Sequence, residues 1–590
     1  MFFQRTVEKN VEWVYINTIY ISQCKNIYGV EAEQMSQEKA CAAPKPLTIG
    51  GWSLDIPEYC NCARDVIDRF AKEDPTREAM LWVNQKGEEK HFTFADFSRL
   101  SNQAANMLRA NGIEKGDRIF LLLPRIPEWW IFSAAIMKLG AISCPAPTLL
   151  MPHDIRFRIN YGNFKGVIAD ASGADKVDQI REECPRLTKL ISVEGPRKGW
   201  LDYYGEVAAG NYSQTAVDGP EVKTRAKEPM LLIFTSGTSK NPKLVQHTFD
   251  YPYGHLVTGG LWHGLRKGDL HFAVSDTGWG KNIWSNYFAQ WMMGACLFIY
   301  DIRGKFHAEE LLPLIEKYGI TSFCAPPTIY RMLVLNDLKK FDFSKLRSCT
   351  AAGEPLHAET CRIWREGTGI TIREGYGQTE TASLIATFAD TPQKEGAIGK
   401  AAPNWHIELH DDDGKEVPQG EIGRIAVKIS DGWRPVGLLD KYVGADDDNS
   451  SYFINGYYYT GDKARIDEDG YYWFCGRNDD IIKSSGYRIG PLEVEEVVMR
   501  HESVQEVAVV GAPDPLRGVV IKAYIVLKKG YVGSDELVKD IQSFVRMETA
   551  PYKYPRKIEF VKALPKSFSG KVKREILRKH AENGGELVID

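Results

Sequence analysis

Between Arg118 and Cys144 the chain alternates an apolar run, a helix-periodic stretch and a second apolar run, and this order restricts the fold most. Arg118 to Leu123 predicts a strand, Glu128 to Leu139 an amphipathic helix stopped by Gly140, and Ala141 to Cys144 the next strand. Strand, crossover helix and strand make a parallel pair, and repeating the unit builds an open sheet covered by helices. The unit recurs in Gly166 to Ala169, a helical stretch to Cys184, and Lys189 to Val193. Three more apolar runs, Leu231 to Phe234, Ser322 to Ala325 and Thr371 to Arg373, end in polar or glycine-bearing loops. Ligands of such sheets collect at the carboxyl ends of strands, so these loops are expected to share one crevice.

A chain of 590 residues exceeds one hydrophobic core. After Ala401, turns such as Asp411-Asp412-Asp413-Gly414 and Asp467-Glu468-Asp469-Gly470 between short strands predict a β-rich subdomain. Past Gly476, helix Glu493 to Met499, strands Glu506 to Gly511 and Val519 to Leu527, and helix Asp535 to Met547 predict a compact α+β piece. The predicted plan is α/β throughout. Residues 1–45 form an extension, either disordered or upstream of the native start; 46–477 form a large domain of α/β layers with the β-rich subdomain; 478–590 form a small, mobile α+β domain.

Lys and Arg total 74 against 78 Asp and Glu, a net charge of -4 that offers nucleic acid no global attraction. The most apolar stretch, Trp129 to Met151, is broken by Lys138, Gly140 and prolines, so it reads as buried helix and strand rather than a membrane span. Cys60 and Cys62 lack the second pair or nearby histidine that a zinc site needs. Scattered thiols fit a reducing compartment, and Glu8 and Glu12 argue against a transit peptide. The expectation is a soluble cytoplasmic protein, or one of the mitochondrial matrix in a eukaryote, monomeric or homodimeric.

The loop Thr235-Ser236-Gly237-Thr238-Ser239-Lys240-Asn241-Pro242-Lys243 leaves the apolar run directly. Hydroxyls and backbone N–H groups can converge there on phosphate oxygens, Gly237 permits a close turn, and Lys243 adds a point charge. It lacks the GK[ST] ending of a Walker loop. The loop resembles the phosphate-binding motif of the adenylate-forming superfamily: acyl-CoA synthetases, nonribosomal adenylation domains and firefly luciferases. Lys240 stands where that motif usually carries Gly.

The other signatures follow in order. Glu374-Gly375-Tyr376-Gly377-Gln378-Thr379-Glu380 resembles the family's next motif, which implies Tyr376 against adenine, Thr379 on the α-phosphate and Glu380 on Mg2+, a cation that prefers hard oxygen ligands. Gly353, Glu354 and Pro355 resemble the segment that passes along adenine. Asp462 and Arg477 match the ribose-binding residues, Arg488 joins the nucleotide set, and Asp479 matches the hinge between domains. Lys571, in Pro565-Lys566-Ser567-Phe568-Ser569-Gly570-Lys571, resembles the lysine that meets the substrate carboxylate and α-phosphate. A cation about 4 Å from two such anions offsets roughly 4 kcal/mol per pair at an effective dielectric of 20. Ser485, Gly486 and Tyr487 resemble a segment lining the pantetheine channel, while Arg517, Arg546, Tyr554, Pro555 and Arg556 match positions that contact the coenzyme A nucleotide.

The resemblance runs from about Pro57 to Lys579 and is strongest to the medium-chain acyl-CoA synthetases, through Pro124 to Trp130, Ser275 to Trp279 and Ala550 to Lys557. It implies ATP, Mg2+ and coenzyme A as cofactors, a small carboxylic acid as substrate, and AMP plus pyrophosphate as products. Acetyl-CoA synthetases carry Trp at the position of Gly377, so its loss should leave room for an acid larger than acetate: medium-chain, branched or aryl, with Trp279 lining the pocket. An acetyl- or propionyl-CoA synthetase, a ligase loading a carrier protein and a non-catalytic acyl- or nucleotide-binding protein are the alternatives.

Overall fold

The computed structural model describes residues 47–590 except 211, 236–241, 305, 355, 430–433, 445–448, 478–479, 481, 485–486, 515–517, 550–552, 567–569, 586 and 588–590, with 483, 487 and 488 described by backbone alone. The extension therefore lies outside the described residues.

The alternation builds two large sheets, where the sequence suggested one. The first has eight strands, centred on Pro229–Thr235, Ile142–Pro145, Arg118–Leu122 and Gly166–Ala169; the second has nine, including Ile372–Tyr376, Ser348–Ala352, Ser322–Ala325 and Leu270–Ala273. A helix apolar on one stripe covers one sheet, but helix Pro127–Lys138 is buried along its whole length and needs packing partners all round. Trp130 Nε1 donates to the Asn286 carbonyl at 2.7 Å, and the Trp129 ring lies 5.5 Å from Tyr287, so this helix joins the first sheet to elements of the second. Proline at its first turn and Gly140 at φ +68° set its limits.

The two sets of strand ends meet. Thr277 Oγ1 donates to the Leu123 carbonyl at 2.5 Å and Arg125 Nε to the Ser275 carbonyl at 2.8 Å. A Cβ on Gly278 would lie 1.9 Å from Pro147 N, so only glycine fits this crossing. The expected common crevice is thus formed between two sheets.

Strand Ile372–Tyr376 runs through Glu374 and Gly375, which the sequence reading placed in a loop. Parallel pairing of Ala352 with Gly375 and antiparallel pairing of Tyr376 with Ile385 keep the backbone extended. A smaller antiparallel sheet follows, from Ile407–His410, Gly423–Lys428, Tyr457–Ile466, Phe453–Ile454 and Tyr472–Arg477. Beyond it, Val504–Asp514, Gly518–Leu527 and Lys557–Phe560 form a three-stranded sheet packed with helices Pro491–Met499, Asp535–Glu548 and Arg574–Asn583 around separate apolar clusters. This piece seats closely on what precedes it, since a Cβ on Gly490 would lie 2.6 Å from the Cys475 carbonyl oxygen. No helix among the described residues is long and apolar enough to cross a membrane.

Candidate active site

Antiparallel pairing of Thr235 with Lys243 closes the base of the hydroxyl loop, whose residues Ser236, Gly237, Thr238, Ser239 and Lys240 lie outside the described ones. Strand Lys441–Tyr442 adds to the same edge, Tyr442 opposite Val245, and this pairing brings two tyrosines that the sequence did not announce. Lys243 Nζ contacts the Tyr452 hydroxyl and stands 4.1 Å from that ring's centroid and 5.3 Å from that of Tyr442. Tyr442 donates to Glu380 Oε1 at 2.9 Å. Burial raises the Glu380 carboxyl, while the Tyr442 hydroxyl, Lys243 and Arg477 pull it back.

The Thr379–Glu380 backbone is fixed from below. Leu439 N–H donates to the Glu380 carbonyl at 2.7 Å, and His247 Nε2 meets the Thr379 carbonyl at 2.8 Å. Burial lowers His247 to about 3, so the ring is neutral and the carbonyl fixes Nε2 as its protonated nitrogen. Among the described residues, no three His, Cys, Asp or Glu side chains gather as a metal cluster. A magnesium ion here would combine Glu380 with phosphate and water oxygens, a donor set it prefers.

On the opposite wall Asp462 is the centre. Tyr376 Oη and Gln378 Nε2 both donate to Asp462 Oδ2 at 2.7 Å, Gln378 Nε2 also reaches the Thr460 carbonyl at 2.8 Å, and Tyr458 Oη donates to Gln378 Oε1 at 3.0 Å. Register pairs Asp462 with Arg477, whose Nε is 3.9 Å from Oδ1. Burial raises the Asp462 carboxyl against Arg477, Tyr376, Gln378 and Lys571. Gly375 is needed because Trp262 would lie 2.6 Å from a Cβ there, and Gly353, at φ +106°, has open space on its side-chain face. Burial and the neighbouring charge of Glu496 push Glu374 up to about 8.

Lys571 comes from the C-terminal piece into the same field. Desolvation lowers its ammonium, Glu354, Asp462 and Glu380 draw it up, and Arg477 pushes it down. It thus sees the phosphate-side and ribose-side carboxylates together. A second lysine, Lys281, donates to the Ala352 carbonyl at 3.0 Å, and desolvation lowers it too. Nothing in the sequence reading singled it out.

One expectation changes. Gly377 does not open an empty acyl pocket, because the Trp284 indole occupies the place, 2.2 Å from a Cβ built on Gly377. Trp284 is 6% exposed and lies on helix Gly280–Ser285, whose N-cap is the half-buried Trp279. The Glu354 carboxylate is held by Thr328 and Arg331. Among the proposed coenzyme A contacts, Arg546 and Arg556 flank Tyr554, their guanidinium carbons 3.8 and 4.7 Å from its ring centroid, and Arg556 donates to its hydroxyl at 2.5 Å. Pro555 is buried beside them. Pro355, Asp479, Ser485, Gly486 and Arg517 lie outside the described residues, and Tyr487 and Arg488 are seen only as backbone of strand Tyr487–Ile489.

Comparison with known proteins gives the family and the fold. The model of the AMP-binding enzyme family matches residues 67–431, and that of the AMP-binding enzyme C-terminal domain matches 493–571. The mitochondrial acyl-coenzyme A synthetase ACSM3 of Homo sapiens is 41% identical over 538 residues, 90% of this chain and 91% of that protein. Human ACSM5 is 39% identical over 533 residues, covering 89% and 91%. The crystal structure of the anthranilate CoA ligase AuaEII with anthranoyl-AMP superposes with a TM-score of 0.80 at 30% identity, over 90% of this chain and 98% of that one. A benzoate CoA ligase from Burkholderia xenovorans shares the fold, with a TM-score of 0.76 at 24% identity over 88% and 100%.

Proposed function

We propose that this chain, which belongs to the AMP-binding enzymes and stands among their acyl-coenzyme A synthetases, joins a carboxylic acid larger than acetate to coenzyme A at the expense of ATP. The observation that carries the reading is the approach of the Lys571 segment, from another part of the chain, to the crevice: a Cβ on the adjoining Gly570 would lie 3.2 Å from Thr328 Oγ1, beside Glu354. In the first half-reaction the acid's carboxylate oxygen attacks the α-phosphorus of ATP, giving acyl-AMP and pyrophosphate. Lys571 neutralises the two anions as they approach, Asp462 and Arg477 hold the ribose, and Tyr376 lies along the adenine. Thr235, Lys243 and the intervening hydroxyl loop hold the phosphates. Magnesium, when bound through Glu380, supplies charge neutralisation to the phosphate oxygens.

In the second half-reaction the coenzyme A thiol attacks the acyl carbonyl and AMP leaves. One domain, residues 478–590, presents Lys571 for the first step and the segment Ser485 to Tyr487 for the second, turning at Asp479. Tyr554, Arg546 and Arg556 receive the coenzyme A nucleotide. The acid is medium-chain, branched or aryl. The anthranilate CoA ligase among the similar structures supports the aryl members of this class, and the Trp284 indole beside Gly377 limits how deep the acyl chain can run. The work belongs to the cytoplasm or, as the names of the human relatives state for them, to mitochondria.

The test is a panel of acids from acetate to decanoate with benzoate, supplied with ATP and magnesium. Acid-dependent pyrophosphate exchange and coenzyme A-dependent AMP release are expected. Exchange without any thioester would point instead to a carrier protein as acceptor, and no exchange with any acid would sink the proposal.

A further inference from the structure

Glu354 lies beside the crevice, yet its carboxylate is turned to the start of helix Pro327–Leu333. Oε1 accepts from the Thr328 N–H at 2.8 Å and from the Thr328 hydroxyl; Oε2 lies 3.2 Å from Arg331 Nη2, which also donates to Thr328 Oγ1 at 2.6 Å. Thr328 and Arg331 are three residues apart and share a helix face. The three side chains close a ring of contacts in which none can turn without breaking two others. Such a ring gives a helix end a stiff, polar surface.

The C-terminal piece touches that surface. A Cβ on Gly570 would lie 3.2 Å from Thr328 Oγ1 and 3.6 Å from its Cγ2, and Gly570 has φ +84°. The loop that carries Gly570 and Lys571 is closed at its base by pairing of Lys566 with Val572 and by the Lys573 N–H, which donates to the Pro565 carbonyl at 2.8 Å. Just behind, Arg574 Nη2 meets both oxygens of Glu495 at 2.7 Å, and Glu495 accepts from the Val509 N–H at 2.7 Å. The described residues on either side are therefore fixed to their own sheet, and among the described residues Gly570 meets Thr328 across the crevice.

We propose that Thr328, Arg331 and Glu354 form a docking platform for the Gly570–Lys571 loop, selecting the domain orientation in which Lys571 serves adenylation. They are positioning residues: they act through the lysine and belong to the first half-reaction alone. The inference rests on the role proposed above for Lys571. It also explains why Glu354 is the first of the carboxylates that draw the Lys571 ammonium up.

The test separates the half-reactions in the full chain, with an acid that the panel shows to be a substrate. Thr328→Leu puts bulk where Gly570 arrives, and Arg331→Gln opens the ring without adding bulk. Thr328→Leu should lower acid-dependent pyrophosphate exchange by about a hundredfold, the scale of a small misplacement of a reacting group. Arg331→Gln should lower it less. Both should convert supplied acyl-AMP and coenzyme A to the thioester at the parental rate, with unchanged thermal unfolding. If Thr328→Leu does not fold, Arg331→Gln decides. Undiminished exchange, or equal loss of both half-reactions in a folded variant, overturns the platform. Lys571→Ala runs alongside: if it retains exchange, the role given to the lysine fails and takes the platform with it.

Discussion

Asp462, buried, and Glu380, half-buried, face the same crevice, and desolvation raises both, yet their surroundings differ. Asp462 Oδ2 accepts from Tyr376 and Gln378, and Oδ1 faces Arg477. Glu380 Oε1 accepts from Tyr442. The first carboxylate is oriented before any ligand arrives, as a binding group for a sugar's hydroxyls should be. The second keeps acceptor capacity for a cation brought in with the substrate. Lys571 stands in the field of both, and the largest prediction concerns it. Lys571→Ala should lower acyl-AMP formation by about a hundredfold to a thousandfold, the scale of losing one charge-stabilising donor, while supplied acyl-AMP is still converted to acyl-CoA. Equal loss in the two half-reactions would mean that the lysine does not connect the two carboxylates during adenylation.

The backbone between the two sites passes through Gly377, against which Trp284 packs. Trp284→Ala should cost about 3–5 kcal/mol of stability, as for other large-to-small core changes, and shift acid preference toward longer chains. Urea unfolding and the acid panel measure both. A shift toward shorter acids would remove Trp284 from the acyl wall and leave it as packing between the carboxylates.

The comparison itself is tested by truncation. Asp462→Ala leaves the Tyr376 hydroxyl and the Gln378 amide without their shared acceptor, at about 1–3 kcal/mol for each donor left unsatisfied. Glu380→Ala removes the acceptor of one hydroxyl, that of Tyr442, where Asp462→Ala removes the acceptor of two donors, and should destabilise less. Its effect should fall on the magnesium concentration needed for half-maximal exchange, whereas Asp462→Ala should raise the KM for ATP. If Glu380→Ala unfolds in less urea than Asp462→Ala, the difference drawn between the two sites is wrong.

How far the sequence could lead follows the same division. The Asp462 side was legible because Tyr376, Gln378 and Asp462 sit in contiguous motifs, and local strand pairing does the rest. Alternating strands and helices were legible for the same reason, since periodicity is a local property. That they form two sheets was not, because it depends on a helix buried on every side. Tyr442 and Tyr452 were missed: they reach Lys243 only through pairing of Val245 with Tyr442, nearly two hundred residues on, and no motif marks them. Gly377 was read as an absence, a missing indole, when the structure supplies an indole from Trp284 in another helix. A residue's identity carries its chemistry, but the volume beside it belongs to its neighbours.

The smallest effect concerns a third carboxyl near the crevice, which has a backbone hydrogen bond from Leu356 in place of the side-chain donors of Asp462 and the cations of Glu380. Burial, with the charge of Glu496 added, raises Glu374 from 4.5 to about 8. For a carboxyl whose folded value is raised, the unfolded chain ionises first. Between 4.5 and about 8 the folded state therefore holds more protons than the unfolded, and stability falls as pH rises through that window, reaching its full loss above about 8. Glu374→Gln cannot ionise, so its melting temperature should decline less than the parent's across the same window. The two should coincide most closely below 4.5, where both are neutral. The charge of Glu496 acts on Glu374 from the C-terminal piece, so Glu496→Gln should recover part of the same loss. Parallel declines in parent and Glu374→Gln would show that Glu374 is ionised in the folded protein and that a counter-charge or water satisfies it as the donors satisfy Asp462.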